Sequence, residues 1–118
     1  MVQARFTIFA DAARREELVR SLRSLVESAR LDSACVDCRL LSDVADPNAI
    51  TLVEEWSTRA AMERRMRSAA YGRLMQLMEL SSRPPETRFH AIAQSSGLEA
   101  IERIRLSDGR SAKSADGM

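Results

Sequence analysis

The sequence has few residues of the types that stabilise small secreted or metal-bound proteins. Among its 118 residues are two cysteines and one histidine, too few for a disulfide framework, or for a four-ligand structural zinc site without carboxylates. Its 18 basic and 17 acidic residues nearly cancel, which excludes the broad positive surface of a general nucleic-acid binder. It has no apolar run that could span a bilayer and no signal-peptide pattern. We therefore expect a cytoplasmic protein without metal, nucleic-acid or membrane partners.

Aromatic side chains are also scarce, with three phenylalanines, one tryptophan and one tyrosine in the chain. An aromatic-lined binding site must therefore draw on Trp56 and Tyr71. The overall composition, 45% hydrophobic and 30% charged, is that of an ordinary globular protein. We expect a single domain over residues 1–106, followed by a small, polar and disordered tail over residues 107–118.

Hydrophobic periodicity predicts strands and helices in the order β-α-β-β-α-β. The strands are predicted at residues 2–9, 35–43, 49–56 and 86–94. One helix is predicted from an N-cap at Asp11 to about Arg30, and a second from Ser57 or Thr58 with a break at Ser68. The segment 98–106 fits either a short helix or a final strand.

This order of elements is that of the ferredoxin-like α+β fold, an antiparallel four-stranded sheet with helices on one face. No segment of the chain remains to cover the other face of the sheet. Apolar residues alternate there with both signs of charge, as in Arg5, Leu41, Val53 and Glu55. Such a surface suits packing against the same surface of a second copy. We therefore expect a homodimer through the open sheet face.

Two residues at the end of the third predicted strand are candidates for a site between sheet and helices. The alternation places Glu54 and Trp56 on the face that the helices cover. A buried carboxylate is costly unless it is paired, for example with Arg65 or Arg73. Glu54 could act as a base for a phenol or enol proton, or form a structural salt bridge. Trp56 could stack on a flat substrate, or close the core at the end of the sheet.

Three further polar residues have both a functional and a structural interpretation. Tyr71, at the start of an apolar helical stripe, could orient a substrate or supply a proton, or lie at the edge of the core. Asn48 follows Pro47 in a turn and could hydrogen-bond a substrate or serve the turn alone. His90 is an acid–base candidate by its ordinary pKa, but the alternation places it on the open face, where an interface role is the alternative.

The two cysteines and the methionines complete the candidates. Cys35 and Cys38, three residues apart on a strand, are expected to point to opposite faces, which argues against a redox dithiol. The second helical region is rich in methionine, which suits adaptable core packing and also a pocket for apolar aromatic ligands. These residues are Met62, Met66, Met75 and Met78.

Several short motifs, taken together over residues 2–95, resemble the antibiotic biosynthesis monooxygenase family. They follow a long first helix that bears arginine and leucine. In chain order they are Ser33-Ala34-Cys35, Asp46-Pro47-Asn48, the strand end Glu54-Glu55-Trp56, and Ala61-Met62-Glu63 leading to Ser68-Ala69-Ala70-Tyr71.

The resemblance implies a dimeric α/β barrel that oxidises a quinol, phenol or anthrone-like aromatic substrate with molecular oxygen, without a cofactor. In that interpretation Glu54 and Tyr71 are catalytic, and Trp56 and Asn48 bind the substrate. Arg65 stands where many members carry histidine, and Cys38 where relatives often carry an aromatic residue. We expect both to contact the substrate, and the missing histidine makes a haem role unexpected.

The resemblance leaves other functions open, because its members include a sugar-phosphate isomerase and many proteins without known chemistry. The main alternative is a non-catalytic dimeric module of the same fold, which binds a small molecule or serves assembly. A filled core around Trp56 would favour that module. An isomerase of phosphorylated sugars would instead require a pocket lined by arginines.

Overall fold

The structure is a computed structural model that describes residues 1–107. The tail is predicted from Ser107 onward, and all of it after Ser107 lies outside the described residues. The elements in chain order are β1 (Val2–Phe9), α1 (Ala12–Arg30), β2 (Cys35–Ser42), β3 (Ala49–Trp56), α2 (Arg59–Met66), α3 (Ala69–Glu79), β4 (Glu86–Ala91) and α4 (Leu98–Leu106).

The four strands form one antiparallel sheet in the order β2-β3-β1-β4, which confirms the predicted ferredoxin-like α+β fold. β4 is three residues shorter than predicted because β1 begins at Val2, the partner of Ala91. Beyond that pair one further hydrogen bond joins Ile92 N to Met1 O, and the ladder ends. β2 ends at Ser42, one residue before the predicted end.

The core lies between the sheet and the helices. The side chain of Asp11 caps α1 by accepting from Arg14 N, as the sequence predicts. Apolar residues then recur at three- and four-residue spacings along α1 and turn one buried stripe toward the sheet. They are Leu18, Leu22, Leu25, Val26 and Ala29.

Two short helices carry the chain back over β3. The Thr58 side chain caps α2 by accepting from Ala61 N at 3.1 Å. α2 ends at Met66, and α3 starts two residues after Arg67, close to the predicted break. After the change of direction at Ser68, α3 packs against α1, and Tyr71 near its start reaches Glu54 at the end of β3.

A β-bulge corrects the predicted orientation of the two cysteines. The register between β2 and β3 shifts between Cys35 and Asp37, so that Cys35 pairs with Trp56 and Cys38 pairs with Glu54. Directly paired residues of antiparallel strands point to the same face. Both cysteines therefore lie on the helix-covered face, and the expectation that they point to opposite faces is wrong.

The segment 98–106 forms the helix α4, so the alternative of a final strand is wrong. α4 contributes no buried residue, and Leu98, Ile101 and Ile104 are more than half exposed. Within residues 1–107, no helix combines the length and the apolar character needed to cross a membrane.

Candidate functional site

A buried carboxylate lies at the centre of the site. Glu54 is 1% exposed, and its neighbours on the same face of β3, Leu52 and Trp56, are buried with it. One carboxylate oxygen, Oε1, accepts hydrogen bonds from Tyr71 Oη at 2.7 Å and from Trp56 Nε1 at 3.1 Å. The strand contributes the acceptor and one donor, and α3 contributes the other donor. These bonds offset part of the cost of burying the carboxylate.

Arg65 of α2 faces the second carboxylate oxygen. The distance from Arg65 Nε to Glu54 Oε2 is 4.0 Å, which makes an ion pair but exceeds hydrogen-bonding distance. The other end of the guanidinium is anchored to α1, because Nη2 donates to Leu25 O at 3.0 Å and to Ser28 Oγ at 2.9 Å. Arg73, the other partner considered for Glu54, is exposed.

The groups around Glu54 hold their protons more tightly than usual. Burial raises the pKa of the Tyr71 hydroxyl, and the Glu54 carboxylate that accepts from it raises the pKa further. Burial, with a smaller effect of Glu54, raises the pKa of the Cys38 thiol to about 12. Burial also raises the pKa of Cys35. At neutral pH these groups therefore remain protonated, and the Tyr71 hydroxyl stays a donor to Glu54.

An apolar groove runs between α3 and β4, beside this network. Its volume is about 550 Å³, and it opens to solvent. Tyr71 lines the groove and is also bonded to Glu54. Phe6 packs edge-on against both the Tyr71 and Phe89 rings, with centroids 5.8 and 5.9 Å apart. The remaining lining residues are Met66, Ser68, Gly72, Met75, Met78 and Thr87.

The structure brings most of the predicted site residues together. Glu54, Trp56, Tyr71 and Arg65 form the network, and Cys38 is paired with Glu54 across the strands. Neither Trp56 nor Glu54 lines the groove, because both are buried in the core.

Two other candidates lie elsewhere. Asn48 precedes β3 at the opposite end of the sheet, about 20 Å of strand away from Glu54. His90 pairs with Gln3 on the open face of the sheet, as predicted.

Phe6, Phe89 and Gly72 also line the groove, although they are not among the residues predicted for the site. The alternation of β1 and β4 places both phenylalanines on the helix-covered face, and that signal could have found them. Gly72 carries no such signal, because its place in the groove depends on how α3 is rotated over the sheet.

A second groove lies between α1 and β2, on the far side of the network. Arg15, Arg23 and Arg30 line it, in a volume of about 530 Å³. Two of these arginines already bind the protein itself. Arg15 donates to Pro47 O at 2.8 Å, and Arg30 donates to Cys38 O at 2.7 and 3.0 Å. Over residues 1–107 there is no group of three or more histidine, cysteine or acidic residues that could hold a metal ion.

Comparison with known structures supports the fold. A protein from Deinococcus radiodurans superposes with a TM-score of 0.75 at 15% sequence identity, over 83% of this chain and 98% of its own. A crystal structure named antibiotic biosynthesis monooxygenase has a TM-score of 0.69 at 22% identity, over 80% of this chain and 100% of its own. A Pseudomonas aeruginosa protein has a TM-score of 0.67 at 25% identity, over 79% of this chain and 94% of its own.

Comparison of the sequence gives the family. Among curated proteins none matches this chain. A model of the antibiotic biosynthesis monooxygenase family matches residues 1–77, which include β1, β3 and the whole Glu54 network. The chain therefore belongs to the antibiotic biosynthesis monooxygenase family.

Proposed function

We propose that the protein is a cofactor-independent monooxygenase that oxidises a quinol, phenol or anthrone-like substrate with molecular oxygen. The observation that carries the proposal is the double role of Tyr71, which lines the apolar groove and donates a hydrogen bond to the buried Glu54. The ring of a flat substrate would lie among Phe6, Phe89 and the methionines of α3. Its acidic hydrogen would then face Tyr71.

The chemistry begins with proton transfer through Tyr71. The substrate gives its acidic proton to Tyr71 Oη while Tyr71 passes its own proton to Glu54 Oε1, at present 2.7 Å away. Tyr71 is neutral before and after this step, which suits a hydroxyl whose pKa is raised by burial and by Glu54. Glu54 ends protonated, and the substrate becomes an electron-rich anion.

In the next step the substrate anion reacts directly with oxygen, and no cofactor takes part. For an anthrone, the carbanion transfers electrons to O₂ and forms a carbon–oxygen bond, giving a hydroperoxide anion that takes up one proton. Loss of water from the hydroperoxide breaks the O–O bond and leaves the quinone. One oxygen atom enters the product and the other leaves as water. Glu54 returns its proton through Tyr71 to the peroxide, which resets the site.

The other predicted site residues have supporting roles in this proposal. Trp56 holds Oε1 of Glu54 in place through its indole N–H, and Cys38 packs beside the carboxylate. Arg65 supplies the neighbouring positive charge. Asn48 has no role, because it lies at the other end of the sheet.

The proposal includes a homodimer through the open sheet face. That face carries a hydrogen bond between Gln3 and Glu55 and another between Thr7 and Thr51, around the buried side chain of Val53. Two such faces would close the dimeric α/β barrel expected from the family. The cytoplasmic location belongs to the same proposal and rests on the sequence alone.

A non-catalytic module that binds a small aromatic molecule is the second candidate. The observation that favours it is the burial of Trp56 and Glu54, which are 0% and 1% exposed. In this alternative the network only stabilises the core, and the groove binds a ligand without turnover.

Oxygen uptake distinguishes the two functions. Metal-stripped protein is mixed with a panel of hydroquinols and anthrones, and uptake is compared with the rate of autoxidation. We expect uptake to fall about 10²-fold or more in Glu54→Gln and in Tyr71→Phe, the usual range for loss of an acid–base group. Gly72→Phe should block the groove, whereas the matched Gly72→Ala should leave uptake intact. Binding of an anthraquinone that Gly72→Phe abolishes, with no uptake on any substrate, would support the binding module.

A further inference from the structure

The guanidinium of Arg65 has one buried nitrogen, Nε, that the fold leaves without a partner. Its Nη2 is fixed by Leu25 O and Ser28 Oγ, and its side chain is 10% exposed. Within the described residues, Nε is the buried side-chain nitrogen or oxygen atom that makes no hydrogen bond. The same Nε faces Glu54 Oε2 at 4.0 Å. Leaving a charged donor unsatisfied in the core is costly, so its placement calls for an explanation.

The distance between the two atoms fits one intervening oxygen. A direct hydrogen bond between Nε and Oε2 would require about 3 Å. An oxygen atom about 2.8 Å from each would span 4.0 Å with an angle of about 90° between its two bonds. That oxygen must accept from Nε–H and donate to the carboxylate. A hydroxyl group can both accept and donate a hydrogen bond in this way. Water is the molecule with such a group that is small enough for a buried position.

We propose that Arg65 and Glu54 form a binding site for a single water molecule, and that Arg65 is a positioning residue that holds the Glu54 carboxylate in place through it. The water accepts from Arg65 Nε and donates to Glu54 Oε2. Oε1 meanwhile remains committed to Tyr71 and Trp56. The two ends of the carboxylate then have different roles, one toward the groove and one toward the cation. This inference does not depend on which reaction the groove supports.

The surroundings of Glu54 make Arg65 the cation that faces the carboxylate directly. β1 contributes Ala4, which cannot be charged, as the partner of Glu54. α1 contributes Arg30, whose guanidinium binds the backbone oxygen of Cys38. The other titratable groups nearby are uncharged at pH 7, and they are Cys35, Cys38 and Tyr71, whose pKa values burial raises further. Removing Arg65 should therefore leave Oε2 of Glu54 without a cation beside it.

Trp56 offers a direct readout that needs no activity. It is the single tryptophan of the chain, and its indole N–H donates to Glu54 Oε1. Its ¹H–¹⁵N signal should shift when the carboxylate that accepts its hydrogen bond changes position. The signal is compared at one pH between wild type and the variants, and Glu54→Gln serves as the control that shows the signal without the carboxylate.

The expected result is a displaced Trp56 indole signal when the Arg65 guanidinium is removed. In Arg65→Gln the indole signal should move away from its wild-type position, and Arg65→Lys should retain most of the wild-type position. Ser28→Ala removes one anchor of the guanidinium but keeps Nε and Oε2, so its indole signal should stay close to that of wild type. The same indole signal in wild type and Arg65→Gln would overturn the positioning role.

Crystallography of the wild type tests the water site even if Arg65→Gln fails to fold. At a resolution that shows ordered solvent, we expect an oxygen atom within 3.2 Å of both Arg65 Nε and Glu54 Oε2, the outer limit of a good hydrogen bond. A direct Nε–Oε2 hydrogen bond, or the absence of density between the two atoms, would refute the site.

Discussion

Tyr71 and Trp56 donate hydrogen bonds to the same carboxylate oxygen, Oε1 of Glu54, from opposite layers of the molecule. Tyr71 belongs to α3, and Trp56 stands two residues beyond Glu54 on β3. The shared acceptor therefore ties the helical layer to the sheet at the end of the core. The Glu54 carboxylate also raises the pKa of the Tyr71 hydroxyl in the groove, although Glu54 itself does not line the groove.

This shared acceptor predicts a loss of stability when the tyrosine hydroxyl is removed. Tyr71→Phe keeps the ring and its edge-on contact with Phe6, so the change isolates one hydrogen bond. Because that bond ends on a buried carboxylate, the free energy of unfolding should fall by about 1.5–3 kcal/mol. Urea denaturation measures the change. In a Glu54→Gln background the same substitution should cost less, and an equal cost in both backgrounds would contradict the interpretation.

The buried thiol of Cys38 predicts a loss of stability at alkaline pH. Its pKa is about 12 in the folded protein against an ordinary value of 9.0. Between these values the unfolded chain gives up the thiol proton while the folded chain keeps it. The free energy of unfolding should therefore be unaffected by this group below pH 9 and decline above it. The slope for one group cannot exceed about 1.4 kcal/mol per pH unit.

Cys38→Ala provides the control for this pH dependence. The variant should lose stability less steeply between pH 9 and 11 than wild type, although Cys35 and Tyr71, whose pKa values are also raised, still contribute with the same sign. Iodoacetamide gives an independent check at pH 8. It should modify the half-buried Cys35 before the fully buried Cys38, and equal rates would count against the buried position of Cys38.

The parts of the site that the sequence predicts are those that depend on local periodicity. Alternation along β3 places Glu54 and Trp56 on the helix-covered face, because successive side chains of any strand point to opposite sides. The cap at Thr58 and the break at Ser68 likewise come from nearby residues. A buried glutamate on that face requires a partner, and Arg65 was one of the two partners that the sequence offered.

The rest depends on how distant segments meet, which a single sequence does not encode in a readable pattern. The bulge beside Val36 turns Cys35 to the face of Cys38, yet nothing in the local sequence marks an extra residue there. The choice of Arg65 over Arg73 depends on the change of direction between α2 and α3. The groove forms only when Phe6, Phe89 and α3 come together in the fold. Phe6 and Phe89 are 83 residues apart in the sequence.

A glycine within α3 predicts a stabilising substitution. Gly72 lines the groove, and a Cβ atom placed there would meet no other atom within 4 Å. Because alanine loses less backbone freedom than glycine in a helix, Gly72→Ala should raise the free energy of unfolding by about 0.5–1 kcal/mol. Gly97→Ala is the control. Its Cβ would displace the flexible, exposed side chain of Glu99, whose Oε2 lies 2.8 Å away, but α4 contributes no buried residue, so global stability should change by less than about 0.5 kcal/mol.

The open face of the sheet predicts how the proposed dimer can be broken. Thr7 and Thr51 are hydrogen-bonded at 2.8 Å between the neighbouring strands β1 and β3 on that face. Sheets that pack face to face lie about 10 Å apart, so a long charged side chain at Thr51 would have to be buried against the partner copy. In Thr51→Arg we expect the dimer dissociation constant to rise by at least 100-fold, which corresponds to about 2.7 kcal/mol.

Analytical ultracentrifugation over a range of concentrations measures this change. Ser24→Arg adds the same charge at an exposed position of α1, on the helical side of the molecule, and should leave the dimer intact. If Ser24→Arg dissociates the dimer and Thr51→Arg does not, the subunits meet through their helices. If the wild-type protein still sediments as a monomer at about 100 μM, the interface is refuted altogether. A buried sheet face of this kind should associate with a dissociation constant far below that concentration.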